Sequence, residues 1–306
     1  MGAPWVQCVR SRKWRVVVSA CLIASILSCP LLIPAAEIGL RAFSAFVSGD
    51  ISFKVIDYLR VTADGNRLLT CREYVTWLIP FPVLSAVYPD HKRRLVRRDA
   101  PGQFILTVMG GAVGTLVAFA TLRVVSGLAA IQSSFVLNHI VMLLTFVLAV
   151  ESISRVGWGL ERLAGFDTRP IIDNVYRSRT VAEFWYRYNY RIHEWLYRNV
   201  FRPCGGRQTP ARAVLLVFFV SGLFHEIMFA MATSRLTGYQ FAFFMIQAPA
   251  VLASGRLQRL ALRGGMVGVI LAHGATILFM AVTSILFFNG VSRVFPFLYV
   301  SRSPLP

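Results

Sequence analysis

Long apolar runs, separated by polar and mostly basic segments, dominate the pattern of the chain. A helix needs about 20 apolar residues to cross a bilayer, because the hydrocarbon core is about 30 Å thick and each residue adds about 1.5 Å. Five runs reach that length: 16–36, 103–122, 131–150, 211–233 and 266–288. The shorter runs 74–88 and 239–254 contain proline and are predicted to be short spans or re-entrant segments. The pattern predicts an all-α, polytopic integral membrane bundle of about 7 to 9 transmembrane or re-entrant helices.

Composition supports a membrane protein and excludes several other classes. Of the 306 residues, 56% are hydrophobic and only 15% are charged, whereas a soluble domain carries about 25% charged residues. A disordered chain, a fibrous repeat and a secreted disulfide scaffold are excluded. No internal repeat is visible, so we predict one integral membrane domain over residues 1–306. The five cysteines contain no CxxC pair, which indicates neither a disulfide framework nor a metal site.

The lysines and arginines, whose excess gives a net charge of +18, predict the orientation of the chain in the membrane by where they lie. If the runs cross with the N-terminus inside, 23 of the 32 lysines and arginines fall on the inner side, which predicts a cytoplasmic N-terminus. The basic residues punctuate apolar runs, so membrane lipids and not nucleic acid are the expected partners. Residues 10–36 resemble a signal peptide, but no A-x-A cleavage site follows, and we predict a first span. Residues 37–73 stay unplaced.

Residues 180–207 form a strongly aromatic and basic segment between two apolar runs. We predict an amphipathic interfacial helix at about 181–203, with Trp185 and Trp195 on one stripe and Asn189 and His193 on another. Four arginines share a further face of that helix: Arg187, Arg191, Arg198 and Arg202. In one interpretation the arginines only reach phosphate headgroups. In the other, Asn189 and His193 face the bundle interior while the arginines attract a phosphate-bearing substrate.

A second candidate lies inside the apolar run 211–233, where Ser221, His225 and Glu226 occur together. An ionisable group at membrane depth is a functional hypothesis by default, and a neutral imidazole can serve as a general base on a hydroxyl. The alternatives are a hydrogen bond between His225 and Glu226 and a proton relay in a transporter. Four other intramembrane polar residues lack a surrounding pattern: Asn138, His139, Gln247 and His273.

Together these segments resemble the membrane-bound O-acyltransferase family. The resemblance rests on FWYRYN at 184–189, HEWLY at 193–197, RPCGG at 202–206 and VSGLFHE at 220–226, with weaker echoes at 51–58 and 73–82. It is closest to the wax synthase and the sterol or diacylglycerol acyltransferase branches. The interval of 36 residues from Asn189 to His225 is similar to that of those branches. Polysaccharide-modifying members usually carry histidine where Asn189 stands, which favours a lipid acceptor.

The resemblance implies an acyl-CoA-dependent O-acyltransferase in which His225 takes the proton from an acceptor hydroxyl and Asn189 orders the reactants. Further residues are predicted to contact substrate: Trp185, Arg187, Arg191, His193, Trp195, Ser221 and Glu226. Acyl-CoA is the co-substrate, and no cofactor is expected to stay bound. The leading acceptor is a lipid or long-chain alcohol. The alternatives are a saccharide or exported metabolite and, from another class, a non-enzymatic membrane protein or transporter. Oligomerisation is left open.

Overall fold

The computed structural model describes residues 12–63, 101–165 and 169–296, so the predicted run 74–88 lies outside the described residues. Within these ranges the chain is helical, apart from turns and one isolated bridge between Ile172 and Tyr188. Its α-helices are α1 (Arg12–Ser28), α2 (Ile38–Ala63), α3 (Pro101–Val125), α4 (Ala129–Gln132), α5 (Phe135–Leu163), α6 (Val181–Arg187), α7 (Tyr190–Leu196), α8 (Pro210–Thr233), α9 (Tyr239–Arg263) and α10 (Gly265–Val294). Two 3₁₀ turns, Cys29–Leu32 and Val175–Arg177, and a π-helical turn, Tyr197–Phe201, complete the regular structure.

Four described helices are long and apolar enough to cross a membrane: α3, α5, α8 and α10. They account for four of the five long runs. The predicted run 131–150 is broken, because the Ser134 side chain accepts a hydrogen bond from the Leu137 amide and starts α5 afresh. The run 16–36 also differs, since its apolar helical stretch ends at Leu32, after Pro30 in the 3₁₀ turn. The predicted total of 7 to 9 helices stays a prediction.

Helix α2 occupies most of the region that the hydrophobic pattern left unplaced. It is a single helix of 26 residues. Four of its five charged side chains are buried, and the fifth, Arg60 near the end of the helix, is exposed. Lys54 has no exposed surface, and its Nζ lies 3.2 Å from Asp50 Oδ2 one turn earlier. Asp57 is likewise buried. These charges interrupt the apolar pattern, and burying them in pairs offsets part of their desolvation cost.

The helices form two packed groups. Helices α3 and α5 lie along each other, while α8, α9 and α10 pack in succession and α2 joins α8. Short connections at 234–238 and Gly264 make α8, α9 and α10 a series of helical hairpins. The chain between α5 and α8 carries the short helices α6 and α7, which pack against the larger helices instead of continuing one long helix.

Candidate active site

His225 lies on α8 with one ring nitrogen committed to the backbone. Its Nδ1 is 2.8 Å from the carbonyl oxygen of Ser221, one turn earlier. A carbonyl only accepts hydrogen bonds, so the proton is on Nδ1 and the neutral ring has its lone pair on Nε2. Among the described residues, nothing is hydrogen-bonded to Nε2. Ser221 therefore orients the histidine through its backbone, and its side chain is buried.

Phenylalanine rings surround the His225 imidazole. Phe244 of α9 is nearest, with ring centroids 4.2 Å apart, and Phe224 and Phe287 follow at 5.8 Å and 6.4 Å. The close approach of Phe244 depends on Gly222, because a Cβ at that position would lie 3.1 Å from the Phe244 Cβ. The absence of a side chain at Gly222 thus lets α9 come near enough to cover the histidine.

Trp185 of α6 reaches the histidine through one of these rings. Its indole lies 5.4 Å from the Phe244 ring, between centroids, and its Nε1 donates to Gln247 Oε1 at 3.3 Å. Gln247 in turn donates to the Thr283 hydroxyl at 3.1 Å. Phe244 is therefore shared by Trp185 and His225. Sequence reasoning noticed Gln247 only as an isolated polar residue, because its partner is 62 positions away.

Trp195 of α7 approaches from the other side. Its Nε1 donates to the carbonyl oxygen of Phe53 at 3.2 Å, and the two rings meet edge to face with centroids 4.5 Å apart. The Phe53 ring then contacts Phe224 at 4.7 Å, and Phe224 is the neighbour of His225. The two predicted tryptophans therefore converge on one histidine through phenylalanine rings, although they lie on separate helices.

Asn189 separates α6 from α7, so the predicted continuous helix over 181–203 is wrong. The residue has φ 57° and ψ 61°, a left-handed conformation that asparagine adopts more readily than most residues. Its Oδ1 accepts from the Ile192 amide at 3.3 Å and caps α7. Next to it, burial raises the pKa of Tyr188 to about 12, so this phenol stays protonated. The predicted helix is therefore interrupted, since α6 ends at Arg187 and Asn189 caps the start of α7.

The break also separates the arginines that a continuous helix would align. Arg191 is buried, and its guanidinium meets both carboxylate oxygens of Glu161, at 3.2 Å and 2.6 Å. Arg187 pairs with Glu183 at 2.9 Å, and Arg198 lies 3.4 Å from Asp57. The common arginine face is therefore not formed. Only one of the four, Arg202, is exposed, with its guanidinium 5.8 Å from the centroid of the Tyr197 ring.

His193 lies on α7 with its ring edge to face against Tyr186, 5.5 Å between centroids. Burial lowers the pKa of His193 below its ordinary value of 6.5, and the nearby Glu194 carboxylate opposes that shift. Among the contacts of the described residues, neither His193 nor Asn189 touches His225. Of the predicted site residues on α6 and α7, Trp185 and Trp195 are connected to His225, each through phenylalanine rings.

Glu226 follows the histidine but turns away from it. Its Oε1 accepts from the amides of Thr237 and Gly238 at 2.8 Å and 2.7 Å, and its Oε2 accepts from those of Gln240 and Phe241 at 3.1 Å each. Four backbone N–H groups at the start of α9 thus hold a buried carboxylate. The hydrogen bond to His225 considered from the sequence is not formed, and the carboxylate instead fixes α9 on α8.

Within the ranges that the structure describes, no group of three or more His, Cys, Asp or Glu residues could hold a metal ion. What the geometry presents is a polytopic membrane protein with one imidazole lone pair enclosed by aromatic rings. A sequence model of the membrane-bound O-acyltransferase family matches residues 118–282, which include Asn189 and His225. The chain belongs to that family and is a multi-pass integral membrane protein.

Similar proteins carry the name diacylglycerol O-acyltransferase. The chain is 34% identical over 110 residues to "Diacylglycerol O-acyltransferase 1" of Corylus americana, over 36% of this chain and 20% of that protein. "Diacylglycerol O-acyltransferase 1C" of Glycine max is 34% identical over 110 residues, 36% and 21% of the two chains. The bovine (Bos taurus) "Diacylglycerol O-acyltransferase 1" is 26% identical over 125 residues, 40% and 24%. The aligned part is about a fifth of the first two relatives' length.

Proposed function

We propose that the protein is an acyl-CoA-dependent O-acyltransferase that esterifies the hydroxyl of a hydrophobic alcohol, with His225 as the general base. The observation that carries the proposal is the Nδ1 hydrogen bond to the Ser221 carbonyl, 2.8 Å long, which leaves Nε2 as the acceptor. An imidazole held in this tautomer is ready to receive a hydroxyl proton without first rearranging. Membership in the family supports the reaction class.

The proposed reaction needs no covalent enzyme intermediate. The acceptor oxygen attacks the thioester carbonyl carbon while its proton passes to His225 Nε2. The tetrahedral intermediate then collapses, the carbon–sulfur bond breaks, and the departing thiolate takes the proton back from His225. An ester and free coenzyme A result, and the histidine is regenerated. The apolar rings around the imidazole suit an acyl chain that remains in lipid while its thioester reaches the base.

Asn189 can support this reaction through its side-chain Nδ2, which takes no part in capping α7. Its Oδ1 accepts from the Ile192 amide, and its Nδ2 has no hydrogen-bond partner among the described residues. An amide N–H donates to a carbonyl oxygen, so we propose that Asn189 Nδ2 orients the thioester or the acceptor. In this proposal Trp185 and Trp195 contact the substrate beside the phenylalanine rings that enclose His225, with Arg187, His193 and the exposed Arg202 nearer the coenzyme.

The proposed acceptor is a lipid alcohol. Relatives named for diacylglycerol support a glyceride, and a long-chain alcohol, the acceptor of a wax synthase, is kept as the second substrate to test. We further propose a single integral domain with a cytoplasmic N-terminus, about 7 to 9 transmembrane or re-entrant helices, and an interfacial position for α6 and α7. Acyl-CoA is the co-substrate, and no cofactor is proposed to stay bound.

The test is acyl transfer by the purified protein in lipid vesicles, with labelled acyl-CoA and either diacylglycerol or a long-chain alcohol as acceptor. Ester products are identified by mass spectrometry. The variant is His225→Ala, and a matched control is His139→Ala, which removes another intramembrane histidine, one bonded to Ala281 and Ser284 on α10. Because a general base contributes roughly 100-fold to 10,000-fold, His225→Ala should lose turnover by at least about 100-fold.

His139→Ala should retain turnover within a few fold per folded molecule, as judged by size-exclusion chromatography. Normal turnover of folded His225→Ala would refute the role of the histidine. Absence of any ester from the wild-type protein with both acceptors would refute the lipid acceptor. An acylated product in a separate reaction supplied with a saccharide would then replace it.

A further inference from the structure

The chain entering α6 is held by side chains of α10. The carbonyl oxygen of Ser178 lies 2.9 Å from His273 Nδ1. The Thr276 hydroxyl shares its one proton between the carbonyl oxygens of Arg179, at 3.0 Å, and Ala272, at 2.9 Å. Since the Ser178 carbonyl can only accept, His273 is the donor in this pair. Two consecutive backbone carbonyls are thus bound to side chains one turn apart on a single helix.

A third bond comes from α9. The Ala182 amide, one of the first N–H groups of α6, donates to the Ser254 hydroxyl at 3.0 Å. The hydroxyl proton of Ser254 is itself donated to the carbonyl of Ala250 at 3.0 Å, so the serine oxygen is oriented as an acceptor. First-turn amides of a helix have no partner within it. Ser254 therefore supplies from another helix a bond that α6 cannot make for itself.

These contacts are partly shielded from solvent, and His273 itself is half-buried. Ser178, Ser254 and Thr276 are all buried, at 2%, 6% and 2% exposure. A buried carbonyl that loses its donor pays its desolvation cost in full, because water does not replace the partner. Removing His273 from Ser178 is therefore more disruptive than removing a surface hydrogen bond.

Helix α6 depends on such anchors because of its length. It has seven residues, and isolated helices that short are not stable in water. Trp185 lies one turn beyond Ala182 and covers Phe244, the ring nearest to His225. A shift at the start of α6 therefore moves the Trp185 indole that packs on Phe244.

We propose that His273 is a positioning residue of the active site: it fixes the start of α6 through the Ser178 carbonyl and thereby sets how Trp185 packs on Phe244, the ring nearest to His225. Thr276 and Ser254 complete the anchor. The inference rests on the proposed acyl transfer for its catalytic consequence, while the anchor itself is a property of the folded protein that needs no substrate.

Two substitutions of His273 separate the hydrogen bond from the volume of the ring. His273→Leu removes the donor, whereas His273→Gln keeps an N–H that can reach the Ser178 carbonyl. Amide hydrogen exchange followed by mass spectrometry compares peptides of 178–187 with peptides of 190–196. In His273→Leu, exchange in 178–187 should be about tenfold faster, as expected for losing one buried hydrogen bond, while 190–196 stays as in the wild type. His273→Gln should restore most of the protection.

The same variants are then assayed for acyl transfer. We expect kcat to fall about tenfold in His273→Leu, with the KM for acyl-CoA within about twofold, because misplacement affects the reacting geometry more than coenzyme binding. If His273→Leu does not fold, Thr276→Val, which removes a hydroxyl from the same anchor at nearly constant volume, takes its place.

Unchanged exchange in 178–187, or a His273→Gln protein as impaired as His273→Leu, would overturn the anchor. Faster exchange with an unchanged kcat would overturn the positioning role. The exchange comparison needs no substrate and so tests the anchor independently of the proposed function. If the wild-type protein transfers no acyl group, the proposed function is refuted and the exchange comparison still decides on the anchor.

Discussion

The two short helices on either side of Asn189 are held in different ways. Helix α6 is fixed by neutral hydrogen bonds with α9 and α10, among them those that the Trp185 indole donates to Gln247 and the Ala182 amide donates to Ser254. Helix α7 and the π-helical turn after it are fixed by charge, through Arg191 with Glu161 and Arg198 with Asp57. One segment of the sequence thus contains two anchoring chemistries.

The difference follows from what each helix faces. Helices α9 and α10 offer glutamine, serine, threonine and histidine, the neutral groups that join helices within membranes. Helices α2 and α5 offer the buried carboxylates of Asp57 and Glu161, and each of these is paired with an arginine. We call helix α6 the α6 half, and helix α7 with the π-helical turn after it the α7 half. The packing of the α6 half is expected to be sensitive to the loss of single hydrogen bonds, and that of the α7 half to the loss of single charges. The substitutions below test that contrast.

The largest effect should come from Arg191→Met. The change takes away the cation that contacts both oxygens of the buried Glu161 carboxylate. Breaking a buried ion pair on one side costs about 3–5 kcal/mol, so the free energy of unfolding in detergent should fall by about that amount. The double variant Arg191→Met with Glu161→Leu should recover most of the loss, since an apolar pair of similar volume replaces the charges. A single variant that loses less than about 1 kcal/mol would show that the pair behaves like a surface contact.

In the α6 half, Gln247→Leu should have the next largest effect. It deprives the Trp185 indole of its acceptor and the Thr283 hydroxyl of a donor, at a cost of about 1–3 kcal/mol for a buried polar group left unmatched. We expect kcat to fall by about tenfold or more. Gln240→Leu is the matched control, because Gln240 is equally buried but donates to the Phe287 carbonyl instead of contacting Trp185. Equal loss of kcat in both variants would remove the special role of Gln247.

Exposed charge should matter less than buried charge. Arg202→Gln removes the exposed arginine, and we expect the KM for acyl-CoA to rise about threefold at low salt, with the difference shrinking at high salt as screening increases. Arg187→Gln is the control, since that guanidinium is already paired with Glu183, and its effect should be smaller. If Arg202→Gln lowers only the amount of protein recovered in membranes, the arginine is an interfacial anchor and not a coenzyme contact.

The hydrophobic pattern was sufficient for the long helices and insufficient for the short ones. A span of about 20 apolar residues is visible in any window of that length, which is why the runs 211–233 and 266–288 coincide with α8 and α10. Helix α2 was missed because its buried charges resemble surface charges in sequence. One of their partners, Arg198 for Asp57, lies 141 positions away, and no local pattern identifies such a pair.

The candidate site shows the same division. His225 stood out because an ionisable residue inside an apolar run is costly. The break at Asn189 was not visible, since one left-handed residue interrupts a helix without changing its hydrophobic period. The resemblance predicts Glu226 as a substrate contact, and the structure places its carboxylate on four backbone amides, those of Thr237, Gly238, Gln240 and Phe241. The tertiary fold decides which free N–H groups at the start of a helix come within reach of a given carboxylate.

The smallest expected effect concerns pH and belongs to the α7 half. Burial lowers the pKa of His193 in the folded protein, with Glu194 opposing, so the unfolded chain binds a proton at higher pH than the folded one. Its contribution to stability is therefore complete above the ordinary value of 6.5 and is lost as pH falls below it. His193→Gln removes this titration, so its melting temperature should decrease less than that of the wild type between about pH 7.5 and about pH 5.5. An equal decrease in melting temperature for the two proteins over that range would mean that His193 has the same pKa in the folded and unfolded states. Any acid sensitivity of the α7 half would then come from other groups.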